Sequence, residues 1–255
     1  MTYKSVGIIG AGIIGNAVFD YLKGLSDLHV EYVLVADKKE VTSRPELAKI
    51  AIDDMAQTLA RRVDLVIEAA TPSVVRAVAS QILAQSDFCA FSCSALAEAQ
   101  VENEIWSASE RSGRRFILPH GAILGLDGLV DGRAFIESVT VTTIKNGESL
   151  GQDAQSEGVV FEGTTRQACA AFPRNVNVHA AIALAGLGFD QTRSIVIADP
   201  NTSCMKHNIS VRGPGLEWEI SVSSTSLGGV SGSYTPQSAV GSIRRLLGNP
   251  PIFNV

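Results

Sequence analysis

Three glycines and one aspartate carry the first chemical signal in this chain. Gly10, Gly12 and Gly15 stand in Gly10-Ala11-Gly12-Ile13-Ile14-Gly15, and Asp37 follows Gly15 by 22 residues. At that spacing Gly10 permits a tight turn, Gly12 lets a pyrophosphate approach the backbone, and Gly15 lets helix and strand pack closely. The N–H groups at the helix start, with Ile13 and Ile14 among them, then face the phosphates with the positive end of the helix dipole. A carboxylate about 20 residues on suits the ribose hydroxyls of a dinucleotide. Asp37 repels a 2′-phosphate and so favours NAD. Lys38 and Lys39 pull the other way and leave NADP possible.

The motif has meaning only between a strand and a helix. Ser5-Val6-Gly7-Ile8-Ile9 reads as a buried strand, and residues 16–22 have helical character. Val30 to Ala36 reads as a second strand ending at Asp37. Further strands are expected at 64–70, 88–92 and 115–119, with helices at 46–50, 53–60, 73–83 and 95–112. Pro72 cannot continue a ladder but can begin a helix. Strands alternating with helices predict a parallel sheet, with ligands beyond the carboxyl ends of its strands. Ala70 and Thr71 lie at such an end and are assigned to the cofactor; His120 lies at another.

Beyond Pro119 the texture changes. Residues 121–129 are small and glycine-rich, a turn into a helix. Ser138 to Lys145 alternates with β-branched residues, as a half-exposed strand does. A polar loop covers 146–158, helices are expected at 164–171 and 177–187, and strands at 194–198, 205–212 and 216–224. The fold class is therefore α/β: a Rossmann parallel-sheet domain (1–119), then an α+β domain (120–235) with a mixed or antiparallel sheet for substrate and dimerisation. The amphipathic tail, 236–255, is expected to pack back on the first domain.

The 255 residues are 45% hydrophobic and 18% charged, with a net charge of −5. That is a globular composition, and its acidity argues against nucleic acid or a membrane surface as partner. The N-terminus runs straight into a strand, so no signal peptide is expected. Cys89, Cys93, Cys169 and Cys204 lack paired C-x-x-C spacing, which predicts reduced thiols in the cytoplasm and no metal site.

The residues then become more specific. Phe172-Pro173-Arg174-Asn175-Val176-Asn177-Val178, with Ala180 to Gly188 after it, resembles the L-aspartate dehydrogenase family. So do Gly121 to Asp127, and Ala198-Asp199-Pro200 followed by His207-x-Ile209. The resemblance runs from residue 5 to about 215. It implies an NAD(P)-dependent homodimer that interconverts L-aspartate with oxaloacetate and ammonia through iminoaspartate, which in some organisms feeds NAD biosynthesis. It makes His207 the catalytic acid/base, and Ala122 and Asn177 cofactor contacts. Histidine suits a step that must accept and return a proton; by residue type alone, His207 reads as a partly buried ring bonded to a carbonyl. Asn175 and Asn177 sit where a helix begins, so one can cap it; Asn175 is otherwise a substrate contact. His179 reads as structural, and His29 as surface.

The chain departs from the family at 231–238, where an Asn-Pro-Lys-Thr-Ser stretch is replaced by Ser231-Gly232-Ser233-Tyr234-Thr235-Pro236-Gln237-Ser238. The lysine is missing, so another cation must meet a substrate carboxylate: Arg174, Arg166, Lys206 or Lys145. His120, where the family has a small residue, and Lys206 join Asn175 as assigned substrate contacts. Two other readings share these features. One is a related two-domain oxidoreductase acting on another small carboxylate or imine. The other is an NAD-binding sensor that has lost catalysis.

Overall fold

The structure is a computed structural model and describes residues 3–225, 227 and 232–248. It divides into two compact units, one made of Met1–Ser92, Ala99–Pro119 and Pro236–Val255, the other of Cys93–Glu98 and His120–Thr235.

The first unit contains a six-stranded sheet. In chain order its elements are β1 (Ser5–Ile9), α1 (Ile13–Leu22), β2 (His29–Leu34), α2 (Pro45–Ala48), β3 (Ala51–Ile52), α3 (Met55–Ala60), β4 (Leu65–Glu68), α4 (Pro72–Leu83), β5 (Asp87–Ala90), α5 (Ala99–Ser112) and β6 (Phe116–Ile117). The strands are ordered β3-β2-β1-β4-β5-β6, and every pair is parallel. The order reverses between β1 and β4, so their carboxyl ends open the crevice that such sheets use for ligands. Both central strands are buried because helices cover the two faces of a parallel sheet. On α1, Gly15, Val18, Phe19 and Leu22 are buried, the i, i+3, i+4, i+7 spacing of one helix face. Val18, Phe19 and Leu22 meet Val6, Ile8, Val33, Leu65 and Ile67 in one core, which also takes Ala239 and Ile243 from the C-terminal helix Tyr234–Leu246.

The second unit contains α6 (Leu126–Gly132), β7 (Ser138–Lys145), β8 (Gly158–Thr164), α7 (Thr165–Ala171), α8 (Asn177–Ala185), β9 (Thr192–Ala198), β10 (Cys204–Gly213) and β11 (Leu216–Thr225). Its sheet runs β11-β10-β7-β9-β8 and is mixed: β7 and β9 are parallel, and the other pairs antiparallel. Strict alternation on β7 buries Val139, Val141, Thr143 and Lys145 on one face. The helix α8 is buried along most of its length and packs on that sheet.

Several sequence expectations need correction. The helix expected over 95–112 is broken: a tight 3-10 turn occupies Cys93–Ala97, and α5 begins only at Ala99. That turn is held by the second unit, where the Ser94 N–H donates to Asn177 Oδ1 at 3.1 Å and the Ser94 hydroxyl to the Pro173 carbonyl at 2.7 Å. A strand, β8, fills residues 159–163, to which no element was assigned, and takes in Gly158 of the expected loop and Thr164 of the expected helix; two-residue β3 was not expected either. Neither asparagine caps α8: its N-cap is Val176, and no side chain bonds there.

Candidate active site

The glycine turn of the first unit follows β1 directly. Gly10 has φ +100°, a region that only glycine enters at little cost, and a Cβ there would lie 2.6 Å from the Ala69 carbonyl oxygen. A Cβ on Gly15 would lie 2.0 Å from the Gly10 carbonyl oxygen, whereas one on Gly12 would meet nothing within 4 Å. Gly10 and Gly15 are thus needed by the fold, and Gly12 keeps an open face. Gly12 is the N-cap of α1 and no side chain caps it, so the first N–H groups of the helix remain for a ligand. Ile13 is 45% exposed beside them, while Ile14 packs against the core. These residues fit the diphosphate of a dinucleotide.

This difference between the glycines yields a paired prediction. Gly12→Ala should fold as the parent does and weaken NAD by about 10-fold or more, since its methyl group enters the open face. Gly15→Ala should instead lose about 1–3 kcal/mol of stability, as overpacking does. Urea unfolding and NAD calorimetry separate the two effects. Unchanged NAD affinity in Gly12→Ala would remove the diphosphate from this face.

The rest of the cradle is built from strand ends. Asp37 Oδ1 accepts the Lys39 N–H at 2.8 Å, an exposed turn that fixes the carboxylate just past β2. Lys38 is paired with Asp53 at 3.0 Å. Thr71 is the N-cap of α4 and shares a hydrogen bond with the Ser73 hydroxyl at 2.8 Å. Ala70 donates its N–H to Glu68 Oε1 at 2.7 Å. Glu68 is fully buried and also accepts from the Ser92 N–H and hydroxyl. Burial pushes its carboxyl up to about 7 against the pull of those donors. Its part is to brace the Ala70 turn; by sequence, it was legible only as part of a strand end.

In the second unit a different group gathers. His207 on β10 stands directly opposite Thr143 on β7, and His207 Nδ1 lies 2.8 Å from Thr143 Oγ1. The same hydroxyl lies 2.7 Å from His179 Nε2. Lys145, two residues along the same face of β7, donates to Asn175 Oδ1 at 3.2 Å and is only 2% exposed. Burial brings the lysine down to about 8. Burial, with the nearby Lys145 charge, brings His207 down to about 3. The imidazole is thus held neutral beside a buried cation.

A sequence profile described as "Homoserine dehydrogenase, NAD binding domain" matches residues 10–119, and one described as "Aspartate dehydrogenase, C-terminal" matches 127–246. An L-aspartate dehydrogenase from Methanosarcina barkeri is 34% identical over 231 residues, spanning 82% of this chain and 83% of the relative. The chain belongs to the aspartate dehydrogenase family. L-aspartate dehydrogenase 1 from Bordetella pertussis is 32% identical over 251 residues, covering 93% of this chain and 95% of that one. The crystal structure of aspartate dehydrogenase from Thermotoga maritima matches with a TM-score of 0.78 at 28% identity, over 98% of this chain and 99% of that one.

Within that family frame the structure sorts the four basic residues expected near substrate. Lys206 is exposed on the face of β10 opposite to buried His207, because side chains alternate along a strand. Arg174 is exposed, and Arg166 is engaged by Asp190 and by the Ala97 carbonyl. Only Lys145 shares a face with His207. Asn175 joins this group through Lys145. Asn177 has its Oδ1 taken by the Ser94 N–H, which leaves its amide N–H groups for a ligand carbonyl. Ala122 and His120 lie in the turn before α6, where the Ile123 N–H donates to the His120 carbonyl at 3.1 Å. Of the altered 231–238 stretch, Ser231 lies outside the described residues. The Thr235 hydroxyl is buried with no partner among the described residues.

Proposed function

We propose that this chain is an NAD(P)-dependent L-aspartate dehydrogenase in which His207 handles the proton and Lys145 receives a substrate carboxylate. The observation that carries the reading is the placement of His207, Lys145 and Asn175 together in the domain whose profile is that of aspartate dehydrogenase. Bound NAD(P) would supply the hydride acceptor, held by Gly10, Gly12, Ile13, Ile14, Gly15, Asp37, Ala70 and Thr71, with Ala122 and Asn177 as further contacts.

In the overall reaction L-aspartate loses a hydride from Cα and a proton from nitrogen, giving iminoaspartate. Water then adds to the imine carbon and ammonia leaves, giving oxaloacetate. His207 is neutral and its Nε2 has no partner among the described residues, so it accepts a proton from the attacking water and returns it to the departing nitrogen. Lys145 anchors a carboxylate, and Asn175 holds the ammonium in place through its Oδ1. Buried surroundings strengthen both interactions. The same reading includes a homodimer, as the family resemblance implies.

A panel of amino acids assayed with NAD and NADP, followed by reduced-nicotinamide absorbance, tests this. L-Aspartate should be turned over in preference to the rest. Turnover of a monocarboxylate alone would overturn the proposal. The coenzyme choice has its own test. Asp37→Ser should weaken NAD by about 10-fold, the size of one charge-assisted hydrogen bond, and shift the NAD/NADP ratio toward NADP. If that ratio does not move, Asp37 is not at the ribose.

A further inference from the structure

His207 is the open end of a row of five buried polar side chains. His207 Nδ1 meets Thr143 Oγ1 at 2.8 Å, Thr143 Oγ1 meets His179 Nε2 at 2.7 Å, His179 Nδ1 meets Ser194 Oγ at 2.8 Å, and Ser194 Oγ meets Thr165 Oγ1 at 2.8 Å. The row ends where the Thr165 hydroxyl donates to the Thr192 carbonyl at 3.1 Å. Thr143, His179, Ser194 and Thr165 are each 0% exposed, and His207 is 4% exposed. The row joins β10, β7, α8, β9 and α7, all in the second unit.

The closed end fixes the direction of every bond. A carbonyl only accepts, so the single hydroxyl hydrogen of Thr165 is spent on Thr192. Thr165 therefore accepts from the Ser194 hydroxyl. Ser194, its own hydrogen used, accepts from His179 Nδ1–H. His179 is neutral, because it is wholly buried and the nearby His207 and Lys145 further disfavour its charge. Its Nε2 is then a lone pair and accepts from the Thr143 hydroxyl. Thr143 in turn accepts from His207 Nδ1–H. The opposite direction would take the Thr165 hydrogen away from the Thr192 carbonyl and lose one of five bonds, at a cost of about 1 kcal/mol or more in a buried setting. Because the row stops at a carbonyl it cannot conduct a proton away.

We infer that Thr143, His179, Ser194 and Thr165 are positioning residues that hold His207 in its Nδ1–H tautomer, so that the Nε2 lone pair stays ready to accept a proton. This inference rests on the proposed role of His207, but its direct test does not need turnover. The function is a neutral counterpart of the carboxylate that orients a catalytic histidine elsewhere: it sets tautomer and ring plane without adding a negative charge beside Lys145. A carboxylate in place of Thr143 would pair with that lysine and compete with substrate.

The experiment has two arms on the full-length protein. In the first, nitrogen-15 NMR of imidazole-labelled wild-type protein reads each ring's tautomer without substrate. We expect both His207 and His179 as neutral Nδ1–H forms near pH 7. His207 found as Nε2–H, or either ring doubly protonated, overturns the inference. In the second arm, Thr143→Val removes the hydroxyl at nearly constant volume and Thr143→Ser keeps it. Thr143→Val should lower kcat for L-aspartate by about 10-fold or more, short of the ~10⁴ seen when an ionised orienting partner is lost. KM should hold, and Thr143→Ser should recover most of kcat. Full kcat in Thr143→Val, or no recovery in Thr143→Ser, overturns the inference. If wild-type protein turns over no aspartate while NMR shows both Nδ1–H rings, the functional proposal fails and the tautomer assignment stands.

Discussion

Replacing His207 with alanine is expected to lower kcat for L-aspartate by about 10²–10⁴-fold, the usual worth of a positioned acid/base group, and to leave NAD affinity unchanged. Two features make the effect large. The ring's Nδ1 is bonded to Thr143, so Nε2 alone is left for chemistry. The neighbouring imidazole does not replace it, because His179 has both nitrogens engaged, by Thr143 and by Ser194. NAD affinity is expected to be spared because the N–H groups proposed to meet the phosphates belong to the turn at Gly12 and α1. Steady-state rates with L-aspartate, together with calorimetry for NAD, check both halves. A kcat within a few fold of the parent would sink the assignment of His207 as the proton acceptor.

The pH behaviour follows from the same geometry. His207 is held down to about 3 by burial and by Lys145. On the proposed reading, a substrate carboxylate at Lys145 would offset only the second of these causes and so raise the ring's affinity for a proton, while burial, the larger cause, stays in place. The sequence suggests only a histidine that titrates near neutrality; the depressed value in the free protein comes from tertiary burial, which no local pattern encodes.

That contrast recurs along the chain. The Rossmann half was legible because its signals are local: glycines whose φ angles and contacts are demanded within one strand–turn–helix, and apolar runs of strand length. Its two-residue strand β3 carries too little sequence to announce itself. In the second half β7 was legible by its two-residue alternation, whereas β8 was not. Gly158-Val159-Val160-Phe161-Glu162-Gly163-Thr164 has no clean alternation, carries two glycines, and slips register between Val159 and Phe161 at the sheet edge. Ser94 to Ala97 favours helix by composition, yet bonds from Ser94 to Asn177 and Pro173 hold it as a separate turn. His207 could be named through family resemblance. Its partners could not, because Thr143, His179, Ser194 and Thr165 meet only when four separate elements pack.

Lys145 is where the fold and the reaction pull in opposite directions, and replacing it with methionine should show both. A lysine that is 2% exposed, with Asn175 as its hydrogen-bond partner and no carboxylate paired with it among the described residues, costs the native state free energy. Its value falls from 10.5 to about 8 on folding, equivalent to up to about 3 kcal/mol. Between those two values the unfolded chain holds a proton that the native chain has released, so this group makes stability rise with pH there. Below about 8 both states are charged and the full penalty remains. Lys145→Met should therefore be more stable than the parent at pH 7, by up to about 3 kcal/mol less the lost Asn175 bond, and should lack the alkaline rise. The same change removes the cation proposed to meet substrate. A charge-assisted hydrogen bond is worth about 1.5–3 kcal/mol, so KM for L-aspartate should climb by about 10- to 100-fold with kcat less affected. Urea unfolding at several pH values and initial rates over a range of aspartate concentrations measure the two effects. A variant that gains stability but keeps its KM would place the substrate carboxylate elsewhere. A variant that loses stability would mean that the buried ammonium has an anionic partner even before substrate binds.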